Sequence, residues 1–161
     1  MPEITGSPRA PREGRVAVLV SRYNEVVTTR LLDGARTCFR EHGVSEARVD
    51  VIWVPGAFEL PVAAETAAAS GRYVALVVLG CVVRGETPHF EYIAGEAARG
   101  LGNVALAHRL PVGFGVLTTE TLDQALARAG GGAGNKGYEA TEAALTTADV
   151  LAQLTRATPR D

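Results

Sequence analysis

The chain has 161 residues, a length that fits one domain with a sizeable buried core. Its 47% apolar and 21% charged residues are typical of globular proteins, and a net charge of −2 excludes the basic surface that nucleic acids and anionic membranes bind. Its two cysteines, Cys38 and Cys81, lie in apolar stretches without metal-type spacing, which predicts a reduced, cytoplasmic setting and no metal site.

The first fourteen residues contain three prolines and no apolar segment of the kind that secretory signals carry. We therefore predict a flexible N-terminal arm over residues 1–14 and a single domain over residues 15–157. The arm is either disordered or pairs in part with a neighbouring subunit. The longest apolar run, Tyr73 to Val83, is too short to cross a membrane as a helix, so no membrane segment is expected.

Short runs that are apolar on both faces alternate with helical patterns along the chain. The runs predict strands at residues 16–20, 49–54, 74–79 and 112–117. Apolar residues at helical spacing predict helices at 27–39 and 60–68, a third from near Pro88, and two more at 122–129 and 138–154. This alternation predicts an α/β protein, a three-layer flavodoxin-like sandwich. Its four-stranded parallel sheet has the order 2-1-3-4 and helices on both faces.

Ligands of such sheets bind at the carboxyl ends of the strands, so site residues are expected in the segments that follow the four runs. These segments comprise residues 21–24, 55–59, 80–89 and 114–120. A G-x-G-x-x-G pattern at Gly132, Gly134 and Gly137 follows a helix and not a strand, which argues against a dinucleotide site. Lys136 is not followed by Ser or Thr, so the same stretch is no P-loop either.

The segment from Gly80 to Phe90 leads from a strand into a helix. Gly85 permits a tight turn, and Pro88 suits a helix start, where no amide donor is needed. The amides of Glu86 and Thr87, the Thr87 hydroxyl and the helix dipole would then form an anion site, for which phosphate is the usual ligand. The other interpretation is an ordinary strand-to-helix loop that Thr87 caps.

Two titratable residues lie beside these loops. His89 follows the anion loop, and an imidazole can both donate and accept protons near neutral pH; the other interpretation is a helix-terminal residue without a chemical role. Glu59 follows the second strand. It either accepts hydrogen bonds from a ligand's hydroxyls or amides, or complements the positive end of the next helix.

Three further residues each have two interpretations. Tyr23 and Phe114 lie at or near strand ends, where each is either a platform for stacking a ring or part of the core. Arg128 ends a short helix before the glycines, either as a solvated side chain or as the partner of an anion.

Five segments of the chain, in this order, closely resemble the lumazine synthase family. They are Ser21-Arg22-Tyr23-Asn24, Val54-Pro55-Gly56-Ala57-Phe58-Glu59-Leu60-Pro61, Leu79 to Tyr92, Gly113 to Thr121, and Arg128 through Glu139. The resemblance extends over residues 15–154 and implies the flavodoxin-like fold and a transferase of riboflavin biosynthesis. Enzymes of this family condense 5-amino-6-(D-ribitylamino)uracil with 3,4-dihydroxy-2-butanone 4-phosphate, without a cofactor. The products are 6,7-dimethyl-8-ribityllumazine, phosphate and water.

The resemblance also implies roles for individual residues. His89 matches the proton-transfer residue, Glu86 and Thr87 match the position of the keto phosphate, and Arg128 matches the arginine that binds its phosphate. The residues that match the aminouracil pocket are Tyr23, Ala57, Phe58, Glu59, Cys81, Val82, Val83 and Phe114. The family forms homopentamers whose sites lie between subunits, with the Phe114 and Arg128 positions supplied by the neighbour, and many members build a sixty-subunit icosahedral shell.

Three positions depart from the family's usual pattern. Tyr23 stands where phenylalanine is common, Cys81 adds a somewhat polar side chain to the pocket, and three consecutive glycines, 130–132, make a flexible connector. None of these changes removes a group that the chemistry requires. Two other functions fit the same fold: a riboflavin synthase of the archaeal type, and a non-catalytic flavin carrier or shell protein. A carrier needs no phosphate site, so the anion loop, His89 and Arg128 together favour the synthase.

Overall fold

The computed structural model describes residues 1–156. Within that part of the chain, the strands are β1 (Arg15–Ser21), β2 (Val49–Val54), β3 (Tyr73–Val83), β4 (Val112–Thr119), β5 (Ala129–Gly131) and β6 (Gly134–Asn135). The α-helices are α1 (Glu25–Glu41), α2 (Leu60–Ala69), α3 (His89–His108), α4 (Leu122–Ala127) and α5 (Lys136–Arg156). Single 3-10 turns at Glu46–Arg48 and Ala57–Glu59 lie on either side of β2.

The first four strands form one parallel sheet in the order β2-β1-β3-β4, which confirms the predicted order. In β1, Val20 lies opposite Trp53 of β2 on one side and Leu79 of β3 on the other. At the end of β3, Val83 pairs with Thr119 of β4. Because all pairs are parallel, the four strands end at the same edge of the sheet, and the segments that follow them meet there.

Helices cover both faces of the sheet. One buried cluster joins alternate residues of β1, such as Val18, to α1 and α5, and includes Leu31 and Leu145. The other joins the intervening residues, such as Leu19, to α2 and α3, and includes Leu101. Burial on both faces explains why the strand sequences are continuously apolar. The predicted three-layer, flavodoxin-like sandwich is confirmed.

The packing of α1 against α5 depends on a glycine. A Cβ on Gly137 would clash with the carbonyl oxygen of Leu31, so only glycine permits this close approach. Asn135 begins α5 by accepting hydrogen bonds from the amides of Gly137 (2.9 Å) and Tyr138 (3.2 Å). Its side-chain amide also donates to the carbonyl of Arg30 in α1 (3.0 Å). The segment between α4 and α5 is thereby held against α1.

Two local features differ from the sequence-based expectations. Strand β3 does not end at residue 79 but continues to Val83, because Gly80 to Val83 still pair with β4. The glycine-rich stretch, expected only as a flexible connector, forms the antiparallel β5–β6 hairpin. Gly130 and Gly134 in that hairpin have positive φ angles of 99° and 80°, which glycine adopts without strain.

Residues 1–14 form neither helix nor strand, and hydrogen bonds connect part of this segment to α5. The amide of Ser7 and the guanidinium of Arg9 both donate to the carboxylate of Asp149, at 3.0 Å and 2.9 Å. The division into a flexible arm and a domain stays a prediction. The predicted end of the domain, Ala157, lies outside the described residues.

Three properties of the described residues concern possible functions. No helix in residues 1–156 has the length and apolar character to span a bilayer. Within the same range, no three side chains of the types that bind metals are grouped around a common point. Cys38 and Cys81 are both buried and unpaired with each other, and burial raises the pKa of the Cys38 thiol to about 12.

A network around Asp50 closes the amino end of the sheet, opposite the edge where the strands end. Asp50 in β2 accepts hydrogen bonds from Arg15 of β1 (2.9 Å) and from the hydroxyl of Tyr73 of β3 (2.8 Å). Arg72 lies 3.5 Å from the same carboxylate. The hydrogen bond from Arg15 lowers the pKa of Asp50 to about 2. The hydrogen bond from Tyr73 and the positive charge of Arg72 act in the same direction. The Asp50 carboxylate thus connects β2 to β1 and β3.

We predict that Asp50→Asn lowers the free energy of unfolding near neutral pH by about 1 kcal/mol, as expected for a partly exposed network. The pKa of Asp50 is lower in the folded than in the unfolded protein. Its contribution is therefore complete above about pH 4 and is lost as the pH falls towards 2. Urea unfolding across that range should show the difference from wild type shrinking.

The matched control for this measurement is Asp33→Asn, which removes one partner of the exposed ion pair with Arg36. It should change the free energy of unfolding by a few tenths of a kcal/mol at most. A difference between wild type and Asp50→Asn that stays constant down to about pH 2 would contradict the assigned role of the carboxylate.

Candidate active site

A pocket of about 500 Å³ opens at the edge where β1, β2 and β3 end. The described residues that line it are Tyr23, Gly56, Ala57, Phe58, Glu59, Cys81, Val82, Val83, Gly85, Thr87, His89, Phe90 and Ile93. The lining combines aromatic and aliphatic surface with a carboxylate, two hydroxyls and an imidazole. Mainly apolar walls with a few converging polar groups are typical of small-molecule sites.

The loop after β1 places Tyr23 at the mouth of the pocket. Asn24 adopts the left-handed conformation (φ 58°, ψ 49°), which asparagine tolerates better than most residues. Its side-chain amide donates to the carbonyl of Cys81 (3.0 Å), and the amide of Tyr23 donates to the carbonyl of Pro55 (3.0 Å). These bonds join the loop to the ends of β2 and β3. The Tyr23 side chain is 73% exposed, so its ring is a platform on which a flat ligand can stack.

The loop after β2 turns at Ala57–Glu59 and continues into α2. Ala57 is buried in the α2–α3 cluster, whereas Phe58 is exposed at the pocket. The Glu59 carboxylate lies over Gly56, where a Cβ would be 3.1 Å from its Oε2 atom. No described residue donates a hydrogen bond to that carboxylate, and it does not cap α2. Both of its oxygens are therefore available to a ligand.

The last three residues of β3 form the inner wall. Because β3 is longer than predicted, Cys81, Val82 and Val83 belong to the strand and not to the following loop. Burial raises the pKa of the Cys81 thiol to about 11, so the thiol is neutral near pH 7. Cys81 is therefore a small, largely apolar part of the wall and not a nucleophile.

The loop from Gly85 to Pro88 connects β3 to the 20-residue helix α3, which begins at His89. Pro88 directly precedes the helix, as the sequence predicted. The amides of Glu86 and Thr87 donate to no described carbonyl, and the Thr87 hydroxyl makes no hydrogen bond that would cap the helix. Backbone donors, a hydroxyl and the positive end of a long helix thus lie together, with His89 beside them.

Nine of the twelve predicted site residues line this one pocket. They are Tyr23, Ala57, Phe58, Glu59, Cys81, Val82, Val83, Thr87 and His89. The side chain of Glu86 is exposed on the loop next to it. Phe90 and Ile93 also line the pocket and were not predicted, although their three-residue spacing at the start of α3 indicates a common face.

Phe114 and Arg128 lie away from the pocket. Phe114 is in the edge strand β4 opposite Val78, and 45% of its surface is exposed. Arg128 follows α4, and its guanidinium donates to the carbonyl of Gln124 (2.9 Å). None of the described residues that line the pocket is an arginine or a lysine. An anion bound there would therefore receive no guanidinium or ammonium group from the described walls of the pocket.

A second groove, of about 700 Å³, lies between α1 and β2. Its floor is apolar and includes Leu32, Phe39 and Val51, with Arg36 and Glu46 among its polar residues. None of the predicted site residues lines it. The chemically useful groups are concentrated in the pocket at the strand ends, which we therefore treat as the candidate active site.

The fold and the pocket define a class of protein: a flavodoxin-like α/β protein with a pocket of small-molecule size at the carboxyl ends of its strands. An imidazole lies beside unpaired amides at a helix start, a combination that is chemically suited to proton transfer next to an anion. The model of the 6,7-dimethyl-8-ribityllumazine synthase family matches residues 13–152. Since the match covers most of the chain, the protein belongs to this family. It is accordingly a transferase of riboflavin biosynthesis.

Ser21, the last residue of β1, is fully buried, and its hydroxyl has no partner among the described residues. It faces Gly80, where a Cβ would lie 3.3 Å from the Ser21 Oγ atom. A buried hydroxyl without a hydrogen bond destabilises the folded state by about 1–3 kcal/mol. Ser21 is therefore a position where the native residue costs stability.

We predict that Ser21→Ala raises the free energy of unfolding by about 1 kcal/mol, because it removes an unpaired polar group without leaving a large cavity. Chemical denaturation measures the change. Thr141→Val is the matched control: the Thr141 hydroxyl is also buried but donates to the carbonyl of Gly137 (2.8 Å), so this variant should be less stable. A loss of stability in Ser21→Ala would show that its hydroxyl is paired after all.

Proposed function

We propose that this chain is a 6,7-dimethyl-8-ribityllumazine synthase that acts in the cytoplasm. It condenses 5-amino-6-(D-ribitylamino)uracil with 3,4-dihydroxy-2-butanone 4-phosphate and releases phosphate and water. The observation that carries the proposal is the single pocket in which an exposed ring, a carboxylate, an anion loop and His89 meet, in a chain of this family. The reaction needs no cofactor, since an amine and a ketone condense without one.

The aminouracil binds between the loop after β1 and the inner wall. Its flat ring stacks on Tyr23, with the strand-end residues Cys81–Val83 behind it. Ala57 and Phe58 enclose the ribityl chain, and the unpaired carboxylate of Glu59 accepts hydrogen bonds from its hydroxyls. A polyol matches this carboxylate because each hydroxyl supplies a donor.

The keto phosphate binds on the loop that precedes α3. Its phosphate accepts hydrogen bonds from the amides of Glu86 and Thr87 and from the Thr87 hydroxyl, at the positive end of the helix. The ketone then lies next to His89, the first residue of α3. The two substrates meet between Tyr23 and His89, which both line the pocket.

The chemistry begins when the aminouracil amine attacks the ketone. Loss of water gives an imine. Loss of the proton from C3 of the butanone unit and departure of phosphate from C4 then give an enol, which tautomerises to a ketone. The ribitylamino nitrogen attacks this ketone, and loss of a second water closes the ring. Holding both substrates in one pocket supplies most of the acceleration, since such positioning lowers barriers by up to about 7–11 kcal/mol. His89 carries protons between the reacting groups, an effect of about 10²- to 10⁴-fold at most.

The enzyme works as a homopentamer in which each neighbour completes the site. Two observations support this assembly: Arg128 and Phe114 do not line their own chain's pocket, and that pocket contains no arginine or lysine among the described residues. Arg128 of one subunit binds the phosphate in the next subunit's pocket, and the Phe114 ring contacts the aminouracil there. The pentamer is the minimum assembly that we propose; static light scattering distinguishes it from the closed icosahedral shell.

Purified protein mixed with both substrates tests the proposed function. The expected result is a rise in lumazine fluorescence together with release of inorganic phosphate in equal amount. A riboflavin synthase would consume lumazine without needing the keto phosphate, and a carrier would release no phosphate. Absence of both signals from a folded, assembled protein would refute the proposal.

We predict that His89→Ala lowers kcat about 10- to 100-fold but leaves measurable activity, because positioning of the two substrates persists without the imidazole. Steady-state kinetics at several pH values between about 6 and 8 measure this. His108→Ala is the control, since His108 lies at the other end of α3 and pairs with Glu65. Full activity of His89→Ala throughout that range would exclude the proton-transfer role.

We predict that Arg128→Ala raises the KM for the keto phosphate about 10- to 100-fold, the usual loss when a charge-assisted bond to phosphate is removed. The KM for the aminouracil should change less than about twofold, because Arg128 is assigned only to the phosphate. Arg128→Lys should recover part of the loss, since it keeps the charge but not the bidentate geometry. An unchanged KM for the keto phosphate in Arg128→Ala would contradict the assignment.

A further inference from the structure

Arg84 occupies the junction between β3 and the anion loop and has no part in the binding scheme above. It is the first residue after β3, and its backbone amide donates to the carbonyl of Thr119 at the end of β4 (2.9 Å). Gly85 follows it directly. Arg84 does not line the pocket. Its side chain nevertheless lies against residues that do, which raises the question of its role.

The Arg84 guanidinium touches two elements at once. Its Nε atom lies 2.8 Å from Oε2 of Glu120, which follows β4, and its Nη1 atom lies 3.6 Å from Oε1 of Glu91 in the first turn of α3. Its central carbon lies 4.8 Å from the centroid of the Phe90 ring, a cation–π arrangement. One planar group thereby links the end of β4 to the start of α3.

Stability alone does not explain this arrangement. All three charged side chains are between 39% and 64% exposed, and exposed ion pairs contribute little to folding free energy. The contacts instead converge on one place. Phe90 and Glu91 immediately follow His89, and Phe90 lines the pocket while packing against the α2–α3 cluster.

The loop that Arg84 spans has few other restraints. A Cβ on Gly85 would meet no atom within 4 Å, and the amides of Glu86 and Thr87 donate to no described carbonyl. The described contacts therefore restrain this loop mainly at its two ends, the end of β3 and the first turn of α3. Arg84 holds those two ends together through Phe90 and Glu91.

A direct role of Arg84 as the phosphate ligand fits the geometry poorly. Its charge already faces two carboxylates, Glu91 and Glu120, and its planar face is covered by Phe90. An anion in the pocket would have to displace these partners. The contacts are those of a group that orients the helix start and not of a group that binds the substrate.

We propose that Arg84 is a positioning residue that fixes the first turn of α3, and with it the His89 imidazole, relative to the end of β4. The kinetic part of this inference rests on the proposed function. The structural part does not, because the placement of the imidazole can be measured without substrate.

The variant Arg84→Met tests the inference, since it keeps an unbranched apolar stem but removes the charge and the planar face. We expect kcat to fall about tenfold, part of the contribution that proton transfer makes. The KM for both substrates and the melting temperature should stay close to wild type. Arg84→Lys should recover little of kcat, because an ammonium restores charge but neither the stacking nor the fork geometry.

A double-mutant cycle separates positioning from a general structural effect. If Arg84 acts through His89, Arg84→Met should have almost no further effect on kcat in the His89→Ala background. An undiminished tenfold loss in that background, or a raised KM for the keto phosphate, would overturn the proposal. Arg99→Met is the matched control, because Arg99 also lies on α3 in an exposed ion pair, with Glu96, but not at the pocket. It should leave kcat unchanged.

Nuclear magnetic resonance of the imidazole Cε1–H groups gives a readout that needs no catalysis. The chain has three histidines, so His42 and His108 serve as internal controls. In Arg84→Met we expect the His89 signal alone to shift or broaden, as its ring samples more than one position. An unaltered His89 signal would refute the positioning role. An altered signal in a protein that makes no lumazine would refute the proposed function and leave the positioning role in place.

Discussion

Parallel pairing of β1, β2 and β3 is the constraint on which the rest of the structure depends. Side by side, these strands bring three loops to one edge of the sheet, and the pocket exists only where those loops meet. Hydrogen bonds then lock the loops together: Tyr23 donates to Pro55, and Asn24 donates to Cys81. At the amino end of the sheet, Asp50 joins the starts of the same three strands. A slip of one residue would turn the strand-end side chains to the opposite face.

At the carboxyl end of the sheet, one chain supplies only part of the groups that would bind an anion, and this is the reason for proposing a site shared between subunits. The loop before α3 presents unpaired amides and a helix start, which attract an anion, yet the pocket's described walls include no arginine or lysine. The nearby Arg84 is occupied by Glu91 and Glu120. Backbone donors alone bind phosphate weakly. In the proposed assembly, Arg128 of the neighbouring subunit would add both affinity and a means to stabilise the departing anion.

Much of the fold could be predicted from the sequence because the signals were local. Apolar runs of strand length and helical spacing between them determine the layers, and right-handed connections limit the possible strand orders. The β5–β6 hairpin was missed because three consecutive glycines carry no side-chain pattern; its shape depends on Gly130 and Gly134 at positive φ and on Asn135 bonding to α1. The predicted end of β3 at residue 79 is wrong because a glycine often marks the end of a strand, whereas pairing with β4 continues past Gly80.

The candidate site shows the same division between local and distant signals. Order along the chain predicts that Glu59 and His89 follow strands. Their roles in the site come from the resemblance to the family, since each position also has a purely structural interpretation. Other features of the site depend on residues far away in sequence, so no spacing reveals them. They are the unpaired Glu59 carboxylate, the neutral Cys81 thiol and the contacts of Arg84. Phe114 and Arg128 do not line their own chain's pocket. The resemblance assigns both positions to a neighbour's site, and that assignment stays a prediction.

Mixing two impaired variants tests most directly whether a complete site needs two subunits. His89→Ala and Arg128→Ala chains would be unfolded together in equal amounts, reassembled, and assayed beside each variant treated alone. If neighbours share sites, random assembly gives about a quarter of the sites both wild-type residues, and the activity of the mixture exceeds the mean of the two parents. If each chain completes its own site, every site keeps one defect. Activity equal to that mean would therefore contradict the account.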